Sequence, residues 1–414
     1  MHSFWFRIVI AAALLGLLPA AASAQAPTPA VIVQSAEEAL AQDAAEYARI
    51  YDVAPEEAVR RLRAQAESVA ATEGLRQAYR KRLAGLAIEH RPDYRIVILL
   101  TGSKPVPDRW IAAGGMTIPV VFRTGARATG ERIIKAIVKR GDRIRAAVPQ
   151  ARGMGLDPRS GELVVMLSEP DADRLDLAAL TDRVRDIAGV PARIRIIERP
   201  DADFAIEGGA RVEGIDTVSG KRAYCTTGFV VTDGARTGVV TAAHCPDALT
   251  YLEPDGRRLA LPFLGQWGWS FQDVQLNVSE EAQRPLFYAD AKRDVVRAVT
   301  GSRPRSGTRA GDLVCHRGER SGYSCAEVEL TDYAPPGDLC GGPCAPVWVT
   351  VAGPSCGGGD SGGPVFLGNI AYGIVKGGTY GRTGACAFYY YMSLDYLPQG
   401  WSLLEEDRPA AAPE

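Results

Sequence analysis

The stretch GGGDSGGPVFLGNIAYGIVKGG, residues 357–378, decides how the chain is read. Its two apolar runs, PVFLG and AYGIV, are short, rich in Val, Phe, Tyr and Ile, and bounded by glycines. That is the texture of strands joined by tight turns, not of a helix. At its head stands Ser361, inside Gly359-Asp360-Ser361-Gly362-Gly363-Pro364. Upstream, the apolar run GVV leads directly into Thr241-Ala242-Ala243-His244-Cys245, and Asp273 follows in FQDVQLN. A lone serine among glycines is ordinarily a turn, and a lone histidine beside a cysteine ordinarily packs in a core. Two multi-residue signals in the order His, Asp, Ser are a different matter, because that order is one of the known arrangements of a nucleophile and its base.

The residue types suit one chemistry. A serine hydroxyl attacks poorly unless a base removes its proton, and a histidine titrating near neutrality can take that proton and return it to a leaving group. A buried aspartate holds the imidazole in one tautomer and stabilises its charged form. Glycines beside the serine let backbone N–H groups converge, and those of Gly359 and Ser361 are the expected oxyanion donors. Asp294, in RDVV, competes with Asp273 for the third position. His316 is read as a surface residue in a cysteine-bounded loop.

The same strand texture runs outward from this core. From about Glu207 onward, GFVV, GVVTAA, DVQLNV and VWVTV alternate with Gly, Pro, Asp and Ser, so residues 205–402 read as an all-β unit. All eight cysteines lie between Cys225 and Cys386. An even count confined to one part of an exported chain implies disulfides there, and roughly a hundred pairings are open on the count alone. A metal site is the alternative, but only His244 and His316 lie among the cysteines and no paired C-x-x-C motif occurs. No metal and no cofactor are expected.

Upstream the texture differs. Residues 35–90 show three- and four-residue apolar spacing through Ala39, Leu40, Ala44, Ala48, Val59, Leu62 and Ala66. Pro55, followed by Glu56 and Glu57, marks a helix start. Residues 94–100, 117–122, 161–167 and 192–197 read as strands; residues 131–138 and 176–188 read as helices. Residues 25–204 are therefore an α+β segment. Ahead of it, Arg7, the apolar run Ile8 to Leu18 and Ala22-Ser23-Ala24 read as an export signal, residues 1–24, whose run is too short for a stable span. Residues 403–414 read as an acidic Ala/Pro tail. With 46% hydrophobic residues, 23% charged and a net charge of −2, the chain carries no basic block suited to nucleic acid. No stable membrane association is expected, and the protein is expected outside the cytoplasm, extracellular or periplasmic.

TAAHC and GDSGGPV resemble the histidine and serine motifs of the chymotrypsin-like serine proteases, in particular the bacterial streptogrisin and α-lytic protease group. Cys315-His316-Arg317-Gly318 through Gly322 to Cys325 resembles that group's disulfide-closed turn. YARIYDVAPEEAVRRL and RSGELVVML resemble the start and end of its folding prosegments. The resemblance implies two six-stranded antiparallel β-barrels, and His244, Asp273 and Ser361 as catalytic residues of a secreted endopeptidase acting through an acyl-enzyme. It implies a prosegment, residues 25–204, that assists folding and is removed by self-cleavage near Ala205. It pairs Cys225 with Cys245 and Cys315 with Cys325, leaving Cys356 for Cys386 and Cys340 for Cys344. The expected partners are a protein or peptide substrate and the chain's own prosegment, and the enzyme is expected to be a monomer.

The segment GIVKGG, residues 373–378, is similar to the strand that holds substrate backbone. There the family has serine before two glycines; this chain has Lys376, with Gly377 and Gly378 following. An extended substrate is expected to pair with Gly378. Ser355, Gly378 and Ala387 are candidates for lining the specificity pocket, with an apolar or aromatic preference, since no acidic residue stands ready to read a basic side chain. Lys376 either turns inward toward Asp273 or extends to solvent. Two rival functions remain: a catalytically silent binding protein on this scaffold, which would have lost a triad residue, and a protease that keeps residues 25–204 as a permanent interaction domain.

Overall fold

A computed structural model describes residues 32–197, 202–203, 211–215, 220–252, 257–279, 283–380 and 385–406. The export signal, the bond before Ala205 and most of the tail lie outside these residues.

The first helix, Ala36–Tyr51, begins where the sequence chemistry tells it to: Ser35 and Glu38 form a reciprocal capping box. It ends at Asp52, which adopts a left-handed conformation (φ +55°). Pro55 opens the next helix, Pro55–Glu67, where its missing N–H costs nothing. A third helix, Val69–Tyr79, follows. The helical spacing of residues 35–90 does not extend to its end, because Leu83–Glu89 is a strand. It pairs antiparallel with Arg95–Thr101, which runs parallel to Met116–Ala126. The strand Arg109–Ala113 completes this four-stranded sheet.

Two long amphipathic helices, Gly130–Ala147 and Leu177–Ala188, lie on a second small sheet of Met154–Asp157, Glu162–Ser168 and Ala192–Ile197. Ile133, Ile137, Ile144, Leu163, Val165 and Val184 fill the space between them. This sheet does not end at residue 197. Met154–Asp157 pairs antiparallel with Gly322–Ala334, setting Gly155 opposite Tyr333, so the strands of residues 154–197 extend a sheet of the region that bears the candidate site. Gly153 makes the join possible. Its φ is +138°, and a Cβ there would come within 2.6 Å of the Tyr333 hydroxyl oxygen.

Among the described residues of 211–406, the regular elements are strands and three short 3₁₀ turns. In the second part of this region the strand ring closes. Leu313–Gly318 pairs with Pro364–Leu367, then come Ile370–Tyr380, Cys386–Ser393, Trp348–Ala352 and Gly322–Ala334, which pairs back onto Leu313–Gly318. This is a closed six-stranded antiparallel barrel. Val314, Val328, Val351, Phe366, Ile374, Tyr391 and Met392 are buried within it. Ahead of the barrel, Arg211–Ile215, Arg222–Thr226, Leu249–Leu252 and Arg258–Leu261 form a four-stranded sheet. Val230–Thr232, Thr237–Thr241, Phe263–Trp267 and Val274–Ser279, joined by Ser402–Leu403 from the far end of the chain, form a five-stranded one. All four expected disulfides are present: Cys225–Cys245, Cys315–Cys325, Cys340–Cys344 and Cys356–Cys386.

Candidate active site

His244 sits in the turn that follows the strand Thr237–Thr241. The turn is short because the Cys245 amide donates back to the Ala242 carbonyl at 3.2 Å. The disulfide Cys225–Cys245 ties it to the strand Arg222–Thr226. Asp273 immediately precedes the strand Val274–Ser279, the neighbour of Thr237–Thr241, so sheet pairing alone brings the two side chains together. His244 Nδ1 lies 3.0 Å from Asp273 Oδ2 and 3.2 Å from Oδ1. On the other side of the ring, Nε2 lies 2.8 Å from Ser361 Oγ.

Ser361 is held by backbone geometry. Gly359 (φ +109°) and Gly362 (φ +83°) adopt conformations that side chains oppose. A Cβ on Gly362 would fall 2.1 Å from Thr241 Oγ1. The Thr226 amide donates to the Ser361 carbonyl at 2.8 Å, and the Thr226 hydroxyl to the Gly359 carbonyl at 2.7 Å. Asp360, fully buried, accepts from the amides of Arg320 (3.0 Å), Ser321 (3.1 Å) and Gly357 (2.7 Å). These bonds fix the loop from behind, and no sequence signal marked Asp360 for that task.

Among the remaining expected residues, Lys376 has turned inward. Its side chain is 3% exposed, and Nζ lies 3.5 Å from Asp273 Oδ2 and 5.6 Å from the centre of the Trp348 ring. Gly377 and Gly378, both buried, pair antiparallel with Asp203 and Ala202. Ser355 and Ala387 are half-buried on segments joined by the disulfide Cys356–Cys386 and by the Gly353 amide donating to the Ala387 carbonyl at 2.9 Å. Asp294 is exposed, just ahead of the strand Val295–Ala298, and takes no part in the cluster.

The expectation for His316 is corrected. It is 1% exposed, in the barrel strand Leu313–Gly318, with its ring centre 4.6 Å from that of Tyr389 and Nε2 2.9 Å from the Ser321 hydroxyl. The cysteine-bounded stretch is two paired barrel strands, of which Leu313–Gly318 is buried at every position while the turn at Arg320 reaches the surface. Burial lowers the His316 pKa below its ordinary value, against the pull of Asp360.

Two opposing effects set the state of Asp273. Burial at 2% exposure acts to raise its pKa, while the positive charges of Lys376 and His244 and their hydrogen bonds lower it. The lowering wins, so the carboxyl is held below its ordinary range and stays ionised. Among the described residues, Asp43, Cys315 and Cys325 come close enough together to suggest metal ligands, but the two sulfurs are joined in a disulfide and offer no thiolate.

A closed six-stranded barrel following two further sheets, with serine, histidine and aspartate lined up between them, is a chymotrypsin-like protease fold. The chain is similar to bacterial members of that class, the streptogrisin and α-lytic protease group. No family model matches it. It is 28% identical over 256 residues to streptogrisin-C of Streptomyces griseus, a match that takes in 60% of this chain. The chain spans about half (50%) of that relative's length. Among solved structures it is similar to Thermobifida fusca protease A, at 22% identity over 49% of this chain and 99% of that one, with a TM-score of 0.37. It is also similar to the chymotrypsin of Cellulomonas bogoriensis, at 20% identity over 49% and 99%, with a TM-score of 0.36. No described helix is long and apolar enough to cross a membrane.

Proposed function

We propose that residues 205–402 are a secreted serine endopeptidase, made as a precursor that cleaves itself. The observation that carries the reading is the continuous chain of contacts Ser361 Oγ, His244 Nε2, His244 Nδ1, Asp273, with donor–acceptor distances of 2.8 and 3.0 Å. His244 takes the Ser361 proton as Oγ forms a bond to the carbonyl carbon of an extended peptide. The negative charge that appears on the carbonyl oxygen is met by the N–H groups of Gly359 and Ser361. His244 then gives the proton to the departing amine, and the acyl group left on Ser361 is released by water in the same way. Asp273 keeps the imidazole in the tautomer that accepts at Nε2.

The pairing of residues 202–203 supports self-cleavage nearby. Asp203 pairs with Gly377 and Ala202 with Gly378. One residue further along that antiparallel count lies Lys376, whose carbonyl accepts from Ser361 Oγ at 3.4 Å. Self-cleavage near Ala205, soon after this paired segment in sequence, fits that seating. Phe204, next to that region in sequence, supports an apolar or aromatic preference on other substrates. Residues 25–204 act as the prosegment, with their C-terminal end on the strand that a substrate would use.

The full-length chain expressed in a host lacking other extracellular proteases tests this. Wild type should yield a mature protein beginning at Ala205, and Ser361→Ala should accumulate uncleaved. Normal processing of Ser361→Ala would refute self-cleavage. A secreted active enzyme beginning near Gln25 would show instead that residues 25–204 are retained.

A further inference from the structure

Lys376 places an ammonium group on the catalytic aspartate, at the carboxylate oxygen that His244 Nδ1 also faces. Both groups meet one atom: His244 Nδ1 is 3.0 Å and Lys376 Nζ 3.5 Å from Asp273 Oδ2. The lysine and aspartate side chains are 3% and 2% exposed, so water screens little of the interaction between them; the histidine side chain is 20% exposed. We propose that Lys376 is a positioning residue of the triad that balances the charge of Asp273 and thereby keeps the enzyme active at more acid pH. This inference rests on the assignment of His244, Asp273 and Ser361 as the catalytic residues.

The effect follows from the number of buried charges. With an uncharged residue at 376, protonating His244 beside ionised Asp273 turns a buried charge into a neutral pair, which favours the proton. With Lys376 in place, Asp273 is already paired. Protonating His244 then leaves a buried cluster with a net positive charge, which opposes the proton. His244 therefore stays neutral, and able to act as base, to a lower pH. The same opposition acts on the imidazolium that forms during attack, so the maximum rate at neutral pH falls while the acid side of the profile widens.

The charged groups around this cluster do not cancel the effect. His244 comes from the turn after the strand Thr237–Thr241 and Lys376 from the strand Ile370–Tyr380. The neighbouring strand Cys386–Ser393 contributes the uncharged Met392 Sδ, which accepts from the Asp273 amide at 3.2 Å. The strand Trp348–Ala352 contributes the Trp348 ring beneath the ammonium. Behind Ser361, Asp360 is engaged by three amides, with His316 Nε2 4.0 Å from its carboxylate. For a charge two contact lengths away in a partly polarisable interior, the expected displacement of the His244 titration is about one pH unit.

The experiment uses the full chain in a Ser361→Ala background, so that it does not depend on activity. His244 is followed by NMR through its imidazole Cε1–H resonance against pH, in proteins with Lys376, Lys376→Met, Lys376→Ser and Lys376→Arg, with His244→Gln assigning the signal. The Met and Ser variants should titrate about one pH unit higher than the parent, and Arg should stay with the parent. In the corresponding Ser361 enzymes, the acid limb of kcat/KM on a short peptide should move by the same amount. Equal midpoints in all four proteins, or a lower midpoint in the Met and Ser variants, would overturn the proposal. A shifted midpoint in a protein whose Ser361 form hydrolyses no peptide would leave the charge coupling standing and sink the peptidase assignment instead.

Discussion

Residues 32–197 and residues 211–406 are held together by different means. The second region has four disulfides and a closed barrel. The first has no cysteine. It is fastened to the second by strand pairing, Ile32–Gln34 with Val295–Ala298 and Met154–Asp157 with Gly322–Ala334, by an apolar contact and by a series of buried polar ones. Tyr47, Tyr51 and Leu62 belong to the same core as Leu313, Val314 and Phe366. Asp43 and Arg297, both fully buried, form a two-pronged ion pair at 3.0 and 3.1 Å. Asp43 also accepts from the Tyr323 hydroxyl and the Gly368 amide, each at 2.6 Å. The Gln65 amide side chain serves both backbone groups of Leu313, and His90 meets the Gly311 carbonyl. A seam made of buried polar groups is specific when satisfied and fragile when one partner changes. It suits a segment that must dock correctly and later leave, whereas the disulfides suit the part that stays.

The largest effect expected on this contrast comes from Asp43→Ala. It leaves the Arg297 guanidinium buried without its carboxylate, a loss of about 3–5 kcal/mol. The loss should fall on the docking of residues 32–197 and leave the stability of the disulfide-bonded region unchanged. Calorimetry on the Ser361→Ala precursor checks this. A single transition lowered as a whole would mean that the two regions are one cooperative unit and the contrast is false.

Next is Cys356→Ser with Cys386→Ser, which opens a loop closed across a sequence separation of 30. The expected cost is about 2–4 kcal/mol, in the barrel. Urea unfolding followed by Trp fluorescence should show the loss, and a midpoint equal to the parent's would contradict it.

The pH response of the seam comes third. Burial holds the His90 pKa below its ordinary 6.5, assisted by Arg61 and opposed by Glu327, the Gly311 carbonyl and Asp312. The group is thus depressed in the folded state. Below pH 6.5 the unfolded or undocked chain takes up a proton that the seam refuses, so docking weakens as pH falls through that value and is unaffected above it. The slope approaches about 1.4 kcal/mol per pH unit for one proton. Hydrogen exchange of the helix Ala36–Tyr51 between pH 5 and 7 reads it, and His90→Gln should flatten the dependence. A slope that survives His90→Gln would place the sensitivity elsewhere. The smallest effect is that of Ser35→Ala, which removes the capping box of that helix at a cost of about 1 kcal/mol, seen as faster exchange in its first turn only.

What could be read in advance was what is local. The glycine-flanked serine, the histidine turn and the helix start at Pro55 each declare themselves within a few residues. What escaped depended on partners far along the chain. LAGLAIE, Leu83–Glu89, has helix-forming composition and becomes a strand only because Arg95–Thr101 pairs with it. Met154–Asp157 is four residues long and exists as an edge on Gly322–Ala334. His316 looked like a surface residue because its strand, Leu313–Gly318, is buried at every position and shows no alternation. Lys376 could have turned either way, and what turned it inward, a buried carboxylate from another sheet, leaves no trace near residue 376. Asp43 was one charge among many on a helix until Arg297, also fully buried, met it.

The central claim, that Ser361 is a nucleophile activated by His244, is open to a direct chemical measurement. The protein secreted by cells expressing the full-length chain is treated with diisopropyl fluorophosphate, digested and mapped by mass spectrometry. A single adduct on the peptide that carries Ser361 is predicted, forming in step with the loss of peptide hydrolysis and at least about a hundredfold more slowly in His244→Ala. Full inhibition with the adduct on another residue, or labelling of Ser361 that proceeds equally fast without His244, would contradict the account.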